Sequence, residues 1–215
     1  ATQGSRLMPL SWMQALEQPE SAQPFLADDH MEQFGFLPRT TSFGERLPIG
    51  FAIDDNDDSN LSVSKLRWFE GQGSKERWIG LNCAACHTAE IGHGDQVMRI
   101  DGGPSLVDFQ SFVEAVDASL VATRDQPDKW NRFAASVLAE RDNERNRDLL
   151  RNELDRLIDW QQRTERMNAT PARYGPARLD AFGHIFNKVS LFVGDPNPVP
   201  SPPDAPVSYP YLWDI

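Results

Sequence analysis

Trp78-Ile79-Gly80-Leu81-Asn82-Cys83-Ala84-Ala85-Cys86-His87-Thr88 is the stretch on which the reading of this chain turns. Its centre, from Cys83 to His87, carries the C-x-x-C-H spacing of covalent haem attachment. Two thiols one helical turn apart can each form a thioether to a porphyrin vinyl group, and the adjacent imidazole then lies beneath the iron as its proximal ligand. No other cysteines occur in the sequence, so a disulfide scaffold is excluded and at most one bridge could form. A thioredoxin-like dithiol would stand at a helix start after a strand, whereas residues 74–81 read as a short helix feeding a turn. Structural zinc would need about four Cys or His ligands in paired clusters, and His30, His93 and His184 show no such pairing. The expected cofactor is one covalent haem c held by Cys83, Cys86 and His87.

Working outward, residues 64–69 and 74–81 read as short helices leading into the motif. After it, Asp101-Gly102-Gly103-Pro104 makes a turn, and Phe109, Phe112, Val113, Val116 and Leu120 recur at helical spacing. Trp130, Phe133, Ala134, Val137 and Leu138 repeat the pattern, and Leu150, Leu154, Leu157 and Ile158 resume it beyond a polar stretch at 140–148. Two antiparallel helices, or one long kinked helix, fit this spacing, with the charges of 140–148 as a solvated turn or face. Residues 1–52 are punctuated by Pro9, Pro19, Pro24, Pro38, Pro48, Gly35, Gly44 and Gly50 and read as an arm with short helices. From Asp195 onward seven of the 16 prolines gather, giving an extended segment that ends in Tyr209-Pro210-Tyr211-Leu212-Trp213-Asp214-Ile215. A tail of that composition buries its rings against something. The expected fold is mainly α: a cytochrome c-like helical haem domain at 53–194 with long loops, an amino-terminal arm at 1–52 and a proline-rich extended tail at 195–215.

With 215 residues, 12 Phe and 6 Trp, the chain has enough large apolar side chain to close a core. Its 21 Lys+Arg against 32 Asp+Glu leave a net charge of −11, which argues against a nucleic-acid partner and suits a basic redox partner protein. No apolar run approaches the roughly 18 residues of a membrane span. Ala1 in first position fits a mature exported chain, and the attachment motif fits a periplasmic or secreted location.

Four segments, in this order, carry a family resemblance: Gly80 to Thr88; Arg99-Ile100-Asp101-Gly102-Gly103-Pro104-Ser105-Leu106-Val107-Asp108-Phe109; Arg178-Leu179-Asp180-Ala181-Phe182-Gly183-His184-Ile185-Phe186-Asn187; and Pro206-Val207-Ser208-Tyr209-Pro210-Tyr211-Leu212-Trp213-Asp214. Together they resemble the amino-terminal half of di-haem cytochromes c, the bacterial cytochrome c peroxidase and MauG-like superfamily, and especially its rubber-oxygenase-like branch. The resemblance implies a helical scaffold with one haem in each half, one haem reactive and the other relaying electrons. This sequence has one C-x-x-C-H, so it corresponds to one half. The tail would then dock on a second haem-bearing chain or a second copy of this one.

The sixth axial position decides between electron transfer and small-molecule chemistry. His93, six residues past His87, lacks the reach to the opposite face. Met98 lies in a candidate strand and reads better as core filler, and His30 reads as an exposed loop residue. His184 is the candidate second metal ligand, with a hydrogen-bonded core histidine as its alternative. Arg99 and Arg178 lie in the two segments that the resemblance places near the haem and are thereby candidates to hold its propionates, the alternative being surface pairs with Asp101 or Asp180. Asp54, Asn56 and Asp58 alternate as calcium-loop ligands do, but Ser59 replaces the glycine and Lys65 the closing acid; a solvated acidic loop is the alternative. Two functions follow: a c-type cytochrome that transfers electrons, or a haem oxidoreductase acting on peroxide or dioxygen together with a second haem half.

Overall fold

The computed structural model describes residues 6–39, 46–61, 65–193 and 198–213. Strand β1 (Met8–Pro9) runs straight into α1 (Leu10–Ala15), followed by α2 (Asp28–Gln33), β2 (Phe51–Asp54) and β3 (Trp78–Leu81). A single 3-10 turn, Cys83–Ala85, leads to a hairpin of β4 (Thr88–His93) and β5 (Gln96–Asp101). Then come α3 (Phe109–Asp125), α4 (Pro127–Leu138), a 3-10 turn at Ala139–Arg141, α5 (Glu144–Met167), β6 (Arg178–Leu179), α6 (Ala181–Phe192) and β7 (Val207–Ser208).

This architecture corrects the mainly α expectation. Helix takes 43% and strand 15% of the described residues, and the strands form three small antiparallel sheets, β1-β3-β2, β4-β5 and β6-β7. The clearest reversal is Trp78–Leu81, read above as helix and found as the central strand of the first sheet. Ile79 pairs with Met8 on one side and Ile53 on the other, so backbone partners distant in sequence decide its state. Residues 65–69 are not helical either; Ser64, the first residue of that expected helix, lies outside the described residues, as do Gly44, Asp195, Pro196, Asp214 and Ile215.

The longer helices form where their apolar period and caps predict. Asp108 accepts from the Ser111 amide at 3.0 Å at the start of α3, and Asn143 from Asn146 at 2.9 Å at the start of α5. Pro127 opens α4 at a position where the missing amide proton costs nothing. Residues 139–143 break the chain into two helices, α4 and α5. Within the charged stretch Asn146 is buried, and its side-chain Oδ1 accepts from the Glu70 amide at 3.0 Å. No helix of the described residues is long and apolar enough to cross a membrane.

The arm belongs to the core. Met8, Trp12, Met13, Phe25 and Phe36 are buried with Trp68, Trp78, Phe112 and Phe133. Phe112 of α3 is the hub, with ring centroids 4.9 Å from Phe36, 5.7 Å from Phe51, 6.0 Å from Phe34 and 6.1 Å from Phe25. Lys129 of α4, itself buried, donates to Glu17 at 3.2 Å and to the Gln18 carbonyl at 2.7 Å. His30, expected in an exposed loop, is buried in α2 with Nδ1 2.7 Å from the Phe25 carbonyl.

The tail packs on its own chain. β7 pairs with β6, and Tyr209 is buried with its hydroxyl donating to the Val107 carbonyl at 3.1 Å. The Leu212 amide donates to Gly102 and the Trp213 indole to Asp101, both at 2.9 Å. Gly102 has φ +80°, and a Cβ there would stand 2.6 Å from Trp213 Cδ1, so glycine is required at this crossing. Tyr211 and Trp213 pack against each other at 4.6 Å and keep one side in solvent.

Candidate functional site

The attachment motif sits on a turn that the first sheet holds in place. Beyond β3, the Asn82 amide donates to the Gly50 carbonyl at 2.9 Å, and its side-chain oxygen accepts from the Ala84 amide at 3.0 Å. The Cys86 and His87 amides then close on the Cys83 carbonyl at 3.2 and 2.9 Å. Gly50, at φ +88°, lies directly under this turn: a Cβ would meet Ala85 Cα at 2.2 Å. Neither thiol is in a disulfide; Cys83 is exposed and Cys86 half-buried. Burial pushes the Cys86 thiol up, partly offset by a hydrogen bond with Tyr209.

His87 is oriented by the tail. Its Nδ1 lies 2.8 Å from the Pro210 carbonyl oxygen. A carbonyl only accepts, so Nδ1 carries the proton and Nε2 presents its lone pair. His87 and Cys83 line a cavity of about 480 Å³ with Arg39, Arg99, Asp101 and Leu212. Arg99 makes an ordinary surface pair, its guanidinium donating to Glu90 at 2.7 and 3.0 Å. Arg39 donates to the Phe51 carbonyl at 3.1 Å.

Other candidates lie elsewhere. Arg178 is exposed in β6, opposite Ser208, and lines neither this cavity nor the second one described below. His93 and Met98 sit on the β4-β5 hairpin, Met98 exposed and paired with Ile91. Asp54 receives Arg6 Nε at 2.7 Å, and the buried Asp58 carboxylate takes Arg67 at 2.5 and 2.9 Å. Guanidinium groups thus occupy oxygens a calcium ion would need. Among the described residues no group of three or more His, Cys, Asp or Glu side chains could hold a metal ion. A haem asks less of the protein, since the porphyrin supplies its own equatorial nitrogens and leaves only axial positions to side chains. Two thiols outside any disulfide, an imidazole with its Nε2 facing away from the Pro210 carbonyl, and flanking arginines fit that group.

His184 is not brought to His87. It lines a second cavity of about 530 Å³ enclosed by α3, α5 and α6, whose walls include Phe109, Phe112, Val113, Val116 and Ile185. Its ring packs on Phe109 and Tyr174, with Nε2 3.5 Å from the Tyr174 hydroxyl. Burial draws its pKa below the ordinary histidine value. Lys188, one turn further along α6, lines the same cavity, and burial lowers its pKa too. Sequence reading missed Arg39, Leu212 and the Pro210 carbonyl. The first two carry no spacing signal, and the third is a backbone atom invisible to a reading of side chains. Lys188 four residues after His184 was a signal, because that spacing places both on one helix face.

An uncharacterized protein, y4iJ, of Sinorhizobium fredii (strain NBRC 101917 / NGR234) is 33% identical over 217 residues, which cover 96% of this chain. The chain spans 35% of that relative's length. No protein-family model matches the sequence, and no solved structure matches it.

Proposed function

We propose that the chain is a c-type cytochrome module that binds one haem through Cys83, Cys86 and His87 and transfers electrons. The observation that carries the reading is the geometry at His87: its proton is held by the Pro210 carbonyl, so the ring nitrogen facing away is free to ligate, beside two thiols spaced for attachment. When bound, the haem supplies one-electron redox chemistry.

The chain's own residues set the conditions for it. A carbonyl acceptor on Nδ1 raises the basicity of Nε2 and fixes the ring's orientation. Arg39 and Arg99 place positive charge at the cavity, suited to carboxylate groups, with Glu90 holding Arg99 in position. The acidic surface, net −11, favours docking of a basic redox partner. Attachment of this kind calls for an oxidising, exported compartment, and expression should be directed there.

Intact-mass measurement and the absorption spectrum of chain matured in such a compartment test the proposal. One haem should remain on the protein through acid-acetone extraction, and His87→Ala should fail to give the normal spectrum. Recovery of free haem in the organic phase, or of colourless chain under conditions that mature a known c-type cytochrome, overturns it.

A further inference from the structure

The second cavity has the make-up of a ligand site independent of the haem motif. It shares no lining residue with the cavity at His87, and its volume of about 530 Å³ is within the range of small-molecule pockets, roughly 300–1,000 Å³. Half of its lining residues are aliphatic or aromatic, and the surface it exposes is mostly apolar. The basic groups are gathered on one helix face, where His184 and Lys188 stand one turn apart on α6. Lys188 has no ion-pair partner among the described residues, and its amine is withdrawn from water. Of the two carboxylates at the lip, Glu114 is engaged by Arg173 at 2.8 and 3.1 Å. The other is Glu165 on α5, which forms no ion pair with Lys188 among the described residues. The Tyr174 hydroxyl spends its proton on the Pro203 carbonyl, leaving only the 3.5 Å approach to His184. An unneutralised ammonium group at an apolar cavity is costly, and an anionic head group on an apolar chain removes that cost.

We propose that this cavity binds a single-chain apolar carboxylate, its alkyl chain among Phe109, Val113 and Ile185 and its head group at Lys188 and His184. The match is one of charge and shape together: the walls select the chain, and the unpaired cation selects an acid over the corresponding alcohol.

Calorimetric titration of the full chain with decanoate and with decanol separates the two contributions. Decanoate should saturate one site, and decanol should bind at least about tenfold more weakly. Lys188→Met should weaken decanoate by a similar factor while leaving decanol unchanged. Val113→Trp, which fills the cavity, should abolish both while the chain keeps a cooperative thermal transition. Absence of saturable decanoate binding overturns the proposal. So does decanol binding as tightly as decanoate, undiminished decanoate affinity in Lys188→Met, or binding that survives Val113→Trp. None of these readouts involves haem, so the cytochrome reading stands or falls separately.

Discussion

Phe112 and Phe186 are the same side chain on amphipathic helices of one molecule, and their fates are opposite. Phe112 is fully buried among the rings of the arm, whereas Phe186 on α6 is 65% exposed, in a stripe with Phe182, Ile185, Val189 and Phe192. The arm makes the difference: Trp12, Phe25, Phe36 and Phe51 wrap the α3 and α4 side of the bundle. Among the described residues no element covers the outer face of α6 in the same way. Aromatic content therefore stabilises this chain only on its closed side, although the sequence places rings on both.

The strongest way to break that comparison is Phe112→Ala, which removes the hub of the ring cluster. It should cost about 3–5 kcal/mol, read as a large fall in the urea midpoint at unchanged slope. Next, Arg67→Ala strands the Asp58 carboxylate, whose side chain is 1% exposed, and should cost about 3 kcal/mol by the same measurement.

A third test moves to the edge of the open side. Asp117 on α3 is buried with both carboxylate oxygens unpartnered. Burial first, then the fields of Glu165 and Glu114, push its pKa up to about 7 from an ordinary 3.8. Between those values the folded chain binds this proton more tightly than the unfolded chain, so the contribution of Asp117 to stability is fully present below about pH 4 and is lost as pH rises towards 7. The contribution lost is on the order of a few kcal/mol, and Asp117→Asn should remove this part of the slope in urea midpoints taken across that range. The smallest effect belongs to the open side itself. Phe186→Ser should change stability by about 0.5 kcal/mol or less; a loss comparable to that of Phe112→Ala would show that α6 is as enclosed as α3.

Legibility in the sequence follows the same divide between local and distant causes. The repeats at Phe109, Phe112, Val116 and Leu120, at Trp130, Phe133 and Leu138, and at Leu150, Leu154 and Leu157 became α3, α4 and α5 because a helix satisfies its backbone within itself. Trp78–Leu81 was misread because a four-residue strand has no period to display, and its partners lie at Met8–Pro9 and Phe51–Asp54. That one strand, with its sheet and the two small sheets elsewhere, is what turned an expected helical domain into a mixed fold. His30 was misread because its burial depends on Phe25 and Phe34 closing over a short helix. At the site, Cys83, Cys86, His87 and Arg99 were legible and stand together. His184 and Arg178 were drawn to the same place by the family resemblance, yet their positions are set by the packing of α6 and by the pairing of β6 with β7. Apart from the His184–Lys188 spacing, the second cavity had no sequence signature, since its walls come from elements whose facing positions are adjacent only after folding.

His87 and Pro210 are separated by 123 residues, which gives their hydrogen bond a place in time as well as in space. A chain made from its amino terminus presents Cys83, Cys86 and His87 long before the carbonyl that orients the ring has emerged. Closure of a contact so distant along the chain comes late in folding. Tyr209, Pro210 and Leu212 then arrive together as β7 pairs with β6, and the His87 ring takes its orientation only at that point.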